Sequence, residues 1–308
     1  MIPVLDFNRF SSGTDRDGFV ADLGAAARGP GFFLLTGHGI DPALQAGVLA
    51  QADAFFGLPL AEKEKVSILK TPHYRGWAHD GLESLDETSG QKDRKESFNI
   101  GYDMDPVDPR VLAGEPFRGV NQWPELPGFR DTMLAYYDAA LALGVRLCRA
   151  IALDLSLPED HFDTMFHEPL AALRVLHYPP ATGAAGEIGA GAHSDYGVVT
   201  LLLTDGEPGL QVQPRGGDWI DVPHVQGAYV VNIGDCLMRW TNDIYVSTPH
   251  RVLRPKRQRR SVAMFVEANP DVIVAALPGT GAPKYAPIRA ADYLQSRLDA
   301  TYTETVGG

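Results

Sequence analysis

Apolar residues in the first half of this chain recur at helical spacing in three blocks, separated by short apolar runs that read as strands. Residues 2–7 form the first such run. Phe19, Leu23 and Ala26 then share one face of a predicted helix over 17–28, which Gly29 and Pro30 stop. A strand is expected over 32–36 and a second amphipathic helix over 43–56, closed by Gly57 and Pro59. Residues 70–125 are rich in Gly, Pro, Asp and Glu, show little periodicity, and are expected to be irregular. The longest helical pattern covers 129–155, with Met133, Tyr136, Tyr137, Ala140 and Leu143 on its apolar stripe. From Leu173 the rhythm changes to eight short apolar runs broken by Gly, Pro and Asp: 173–178, 198–204, 210–212, 219–222, 228–233, 247–253, 261–267 and 272–276. Short strands at that spacing suggest a sandwich, barrel or jelly roll. A last amphipathic helix is expected over 290–302. With no linker between these parts, residues 1–308 read as a single domain. A helical and strand region over 1–100 buttresses a β core over 170–280, and a C-terminal helical segment occupies 285–308.

Composition narrows the function. The 308 residues are 44% hydrophobic and 21% charged, an ordinary globular balance. No apolar run approaches the roughly 20 residues of a membrane helix, and the opening MIPVLDFNRF lacks the basic start and apolar stretch of a secretory signal. Cys148 and Cys236 alone make neither a disulfide framework nor a zinc cluster, so a reducing, cytoplasmic setting is expected. A formal net charge of −12 opposes a phosphate backbone, so nucleic acid is not an expected partner. The basic run from Arg254 to Arg260 is expected to be a solvated hairpin turn between two strands.

The candidate chemistry lies in Gly191-Ala-His-Ser-Asp195 and in Ser247-Thr-Pro-His250. In extended backbone, side chains two apart point the same way, so His193 and Asp195 can reach one ion from a single segment. His250, from a distant strand, would complete two imidazoles and one carboxylate on one face of a metal. That set, with its remaining positions open, suits non-haem iron(II) and dioxygen. The other histidines, His38 and His224 among them, read as ordinary turn or surface residues. Further along, alternation puts Arg259 and Ser261 on one strand face and Arg260 on the other. A guanidinium fork beside a hydroxyl suits a carboxylate held by two bonds. Tyr178, at the end of its strand, could reach the same carboxylate. A substrate pocket is expected from the segment containing Tyr74, Arg75 and Trp77, from Phe98, and from residues near the C-terminal helix. Arg75 and Arg174 are the candidates for an acidic group on a small-molecule substrate.

These segments resemble the isopenicillin N synthase-like family of iron(II)/2-oxoglutarate dioxygenases along nearly the whole chain. The resemblance runs through Gly31-Phe-Phe-Leu-Leu-Thr-Gly-His-Gly-Ile40, Asp93-Arg-Lys-Glu-Ser-Phe98, Asn121-Gln-Trp-Pro124, Asn232-Ile-Gly-Asp235 and Arg239-Trp-Thr-Asn242, besides the metal and Arg-x-Ser motifs. It implies a double-stranded β-helix, or jelly roll, with iron(II) on His193, Asp195 and His250. It also implies 2-oxoglutarate on Arg259, Ser261 and Tyr178. Dioxygen and 2-oxoglutarate would be consumed, with release of succinate and carbon dioxide, as a small organic substrate is hydroxylated, desaturated or cyclised. Leu176 departs from the Asn that many plant members have two positions before the tyrosine. Two alternatives stay open: an iron oxidase of the same fold that does not use 2-oxoglutarate, and a non-catalytic binding protein.

Overall fold

The computed structural model describes residues 1–86, 90–184 and 186–301. Twelve strands build two facing sheets. They are β1 (Val4–Asp6), β2 (Phe32–Thr36), β3 (Gly76–Ala78), β4 (Glu96–Gly101), β5 (Ala172–Tyr178), β6 (Ile188–His193), β7 (Val199–Thr204), β8 (Leu210–Val212), β9 (Ile220–Asp221), β10 (Tyr229–Ile233), β11 (His250–Leu253) and β12 (Arg259–Val266). The larger sheet runs β1-β2-β10-β7-β12-β5-β4-β3 and the smaller β6-β11-β8-β9. A short pair, β13 (Ile273–Val274) and β14 (Ile288–Arg289), stands apart.

The larger sheet is apolar on both faces, which is why runs such as Phe32-Phe-Leu-Leu lack polar alternation. Phe33, Leu35, Val175, Val231, Val262 and Met264 face the helices. Phe32, Leu34, Leu176, Val230 and Ala263 face the smaller sheet, whose Ala190, Leu210, Val212 and Val252 meet them. This is the expected jelly roll, opened by a layer of helices on one side.

The helices are α1 (Asn8–Ser11), α2 (Arg16–Arg28), α3 (Pro42–Phe56), α4 (Leu60–Lys65), α5 (Pro109–Leu112), α6 (Phe129–Asp154), α7 (Asp235–Trp240) and α8 (Ala290–Thr301). Local chemistry sets the longer ones. Asp15 accepts from the Gly18 N–H at the start of α2, and Asp41 from the Ala43 N–H at the start of α3, where Pro42 occupies the first turn. The α6 helix crosses the sheet so closely that a Cβ on Gly144 would lie 2.4 Å from Val266 Cγ2. Among the described residues, no helix is long and apolar enough to cross a membrane.

Several expectations need correction. The segment 70–125 is not merely irregular, since β3 and β4 complete one edge of the larger sheet. Their signal was hidden because Glu96-Ser-Phe-Asn follows a charged run directly. The strand β6 also went unread, because Ile188-Gly-Ala-Gly-Ala is too small-sided to register as an apolar run. The run at 272–276 keeps only the two-residue β13, and that at 247–253 is a strand only from His250. The turn after β11 is no hairpin: it crosses from the smaller sheet to the larger. Its charges are partnered, Arg257 with Glu207 and Arg260 with Asp53 and Asp205. The C-terminal helix ends its described span at Thr301, and Tyr302 lies outside the described residues.

Phe98 is the correction with the clearest cause. On β4, Phe98 and Ile100 point to the helices, where Phe98 meets Phe55 at 4.7 Å and Phe129 at 5.2 Å between ring centroids. The alternate residue Asn99 instead lines a cavity on the opposite side of the strand. Phe98→Ala should therefore act as a core truncation, costing about 3–5 kcal/mol in denaturant unfolding. The folded fraction should bind iron and small molecules as wild type does.

Candidate active site

The antiparallel pairing of β6 with β11 sets His193 directly opposite His250, with ring centroids 4.3 Å apart. Asp195 follows two residues after His193, as β6 ends. Its Oδ1 lies 3.9 Å from His193 Nε2 and 3.7 Å from His250 Nε2. The three facing atoms all sit within 4.8 Å of one another. Donors bonded to one ion at about 2.1 Å lie roughly 3–3.5 Å apart, so modest closure would let all three share a metal.

Each ligand atom is freed for that task by a bond on its far side. The Nδ1 of His193 is 2.7 Å from the Gly191 carbonyl, and the Nδ1 of His250 is 3.2 Å from that of Thr248. A carbonyl only accepts, so both Nδ1 atoms carry the proton and both Nε2 lone pairs face the centre. On Asp195, Oδ2 accepts from Thr200 Oγ1 at 2.6 Å and from Asn232 Nδ2 at 2.7 Å, leaving Oδ1 inward. Thr200 and Asn232 are themselves register partners on β7 and β10. Electrostatics agree with a ligand set. Burial and the adjacent His250 hold His193 well below the usual imidazole value, hence neutral. Burial pushes Asp195 up, but the two imidazoles and the two donors outweigh it and keep the carboxylate ionised.

Two chambers of about 60 and 110 Å³ meet at His193 and Asp195. The inner chamber lies between the sheets. Arg259 and Ser261 line it, each only 1% exposed, together with Tyr178 and Leu176. Arg259 sits over the Tyr178 ring at 5.0 Å, its register partner across β12 and β5, and its Nη1 is 3.3 Å from Ser261 Oγ. Lys95, which the sequence reading did not single out, also lines this chamber. It is paired with Asp93 at 2.5 Å and Glu83 at 2.8 Å, and those carboxylates outweigh burial to hold it charged.

The outer chamber is walled by Leu170, Phe117, Phe265, and by Leu294 and Leu298 of α8. Arg174 lines both chambers, with Nε on Asn99 Oδ1 at 3.0 Å and Nη1 3.5 Å from Glu83. Arg75 lines the outer chamber, but its guanidinium is spent on the Tyr102 and Phe117 carbonyls and on Asn121 Oδ1. It braces the segment 101–121 rather than offering a charge to a substrate. Glu267 was also missed. Burial, with Asp195 and Asp235 nearby, pushes its carboxyl up to about 8.

Comparisons with known proteins decide the family. Residues 2–126 match the "non-haem dioxygenase in morphine synthesis N-terminal" model, and residues 169–268 match the "2OG-Fe(II) oxygenase superfamily" model. The chain belongs to the 2-oxoglutarate/iron(II) oxygenases. It is 36% identical to a 2-oxoglutarate-Fe(II) type oxidoreductase, hxnY, of Emericella nidulans, over 97% of this chain and 90% of that one. It is likewise 36% identical to a homoarginine-6-hydroxylase of Oryza sativa, covering 89% and 87%. A full-length Neurospora crassa protein solved in complex with alpha-KG and thymine superposes with a TM-score of 0.86 at 33% identity, covering 97% and 96%. This oxygenase is accordingly an oxidoreductase that uses iron(II), 2-oxoglutarate and dioxygen to oxidise a small substrate.

The bonds behind Asp195 give a direct test. Asn232→Ala and Thr200→Val remove donors that never touch the metal, yet each should weaken iron(II) binding by ~10- to 100-fold. Anaerobic competition against a coloured chelator measures this. Unchanged affinity in both variants would mean that Asp195 is oriented by something else.

Proposed function

We propose that His193, Asp195 and His250 hold the iron, that Arg259, Ser261 and Tyr178 anchor 2-oxoglutarate in the inner chamber, and that the substrate occupies the outer one. The single observation that carries this reading is the convergence of the three ligand atoms where the two chambers join. The donor set suits the metal: two imidazole nitrogens and one ionised carboxylate leave room for further oxygen ligands. Bound there, iron with 2-oxoglutarate supplies the oxidising power, with succinate and carbon dioxide as by-products.

The protein's own part is positioning and exclusion. Arg259, its Nε held by the Glu207 carbonyl, lines the inner chamber with its terminal N–H donors, and the Ser261 hydroxyl beside it offers one more. A dicarboxylate gripped there by its far end would direct its keto acid end toward His193 and Asp195. The Tyr178 ring under the guanidinium limits how Arg259 can swing. Leu294 and Leu298 of α8 and Phe265 give the outer chamber an apolar wall that would limit water beside a bound substrate.

Arg259→Ala and Arg259→Lys should raise the 2-oxoglutarate requirement by ~10- to 150-fold, since Lys keeps the charge but loses the fork. Arg260→Ala should leave it nearly unchanged, because Arg260 faces outward to Asp53 and Asp205. Succinate formed per oxygen consumed, over a range of 2-oxoglutarate concentrations, is the measurement. A wild type that consumes oxygen without making succinate would overturn the co-substrate assignment.

A further inference from the structure

The face of β12 that carries Arg259 and Ser261 does not stop at the metal site. Ala263 and Phe265 continue it, and Glu267, the next residue in that alternation, lines the outer chamber beside His193 and Asp195. Glu267 is only 6% exposed, yet its carboxyl has no hydrogen-bond or ion-pair partner among the described residues. Space for it is provided by Gly197, where a Cβ would lie 2.7 Å from Glu267 Oε1. The neighbouring polar side chains are already committed: Arg75 to main-chain carbonyls and Asn121, Arg174 to Asn99, and Ser194 to Asp235.

A buried carboxyl without a partner is costly, so native proteins rarely leave one unfilled. His73, whose Nδ1 is likewise buried without a partner, lines the same chamber, so a molecule that enters it can supply bonds that the protein leaves unmade. Asp195 and Asp235 lie close enough to act on Glu267, so three carboxyl groups gather at this corner and a donor suits it better than a further carboxylate. A hydroxyl can donate too, but its oxygen keeps lone pairs that the same carboxylates repel. An amide or ammonium N–H brings a donor and no lone pair.

Resting on the assignment of the outer chamber to substrate, we propose that Glu267 is a specificity residue and that the substrate is a compact nitrogenous molecule presenting an N–H to its carboxyl. The rest of that molecule lies against Phe265, Leu294 and Leu298.

The test is equilibrium binding, without turnover, to the anaerobic enzyme loaded with iron(II) and 2-oxoglutarate. Calorimetric titrations would use glutarimide and N-methylglutarimide, then cyclohexylammonium, cyclohexanol and cyclohexanecarboxylate. At least one N–H-bearing probe should bind about 10-fold tighter than its partners lacking that donor, and Glu267→Leu should abolish the preference. Glu267→Gln separates the two sources of the donor. A neutral imide keeps its affinity for the amide, whereas a cation loses it. Tightest binding of the alcohol or the carboxylate, no binding of any probe, or a preference that survives Glu267→Leu would overturn the proposal. 2-Oxoglutarate is titrated first in every variant. If wild type takes it up and the N–H preference is absent, only the role of Glu267 falls; if wild type does not take it up, the co-substrate assignment fails.

Discussion

Two histidines placed face to face across one antiparallel pair are the constraint on which the rest of this molecule depends. Opposed residues in such a pair have Cβ atoms roughly 4.5–5.5 Å apart, so the backbone alone brings His193 and His250 together. Protonated imidazoles would repel at that distance, and burial keeps His193 neutral. The carboxylate that completes the set cannot be placed by the same sheet. It is steadied by Thr200 and Asn232, which pair with each other on the larger sheet. The ligand set thus spans both layers of the jelly roll, and the site exists only when the two layers are docked in register.

A second group of buried charges ties the chain before β4 to that docking. Asp93 is wholly buried, with Oδ2 on Lys95 and Oδ1 accepting the Gly191 N–H at 2.8 Å. Gly191 in turn accepts from His193 through its carbonyl. A charge removed from such a cluster leaves its partner buried and alone, so these residues are bound to one another's presence. The chain of contacts runs from Lys95, in the inner chamber, through Asp93 and the β6 backbone to a metal-facing imidazole.

How much of this could be read from the sequence depended on how each feature is encoded. The helices α2, α3 and α6 were legible within a residue or so because their apolar spacing, caps and stop signals agree. The convergence of His193, Asp195 and His250, and the shared facing of Arg259 and Ser261, were legible because period-two alternation fixes the facing of strand residues. Alternation also distinguished Arg259 from Arg260. Phe98 shows the converse. Its place in the chain was right, but a single step along β4 separates the core face from the chamber face, and only the strand's pairing with β5 decides between them. Glu267 and Lys95 carried no pattern at all. Each is an ordinary acidic or basic residue in the sequence, and it becomes unusual only once the fold has buried it.

The strand β12 holds both chambers on one face, and that has a consequence for how such a chain can change. Pocket-facing positions along a strand are about 6.6 Å apart, so residues at its two ends line different chambers. Replacing side chains near Phe265 can reshape the outer chamber without moving Arg259. Inserting or deleting one residue between them is a different matter. It would turn every side chain on one flank to the opposite face, driving core residues such as Met264 into the cavity and an anchor or Glu267 into the helices. Diversification along this strand is therefore open to substitution and closed to changes of length.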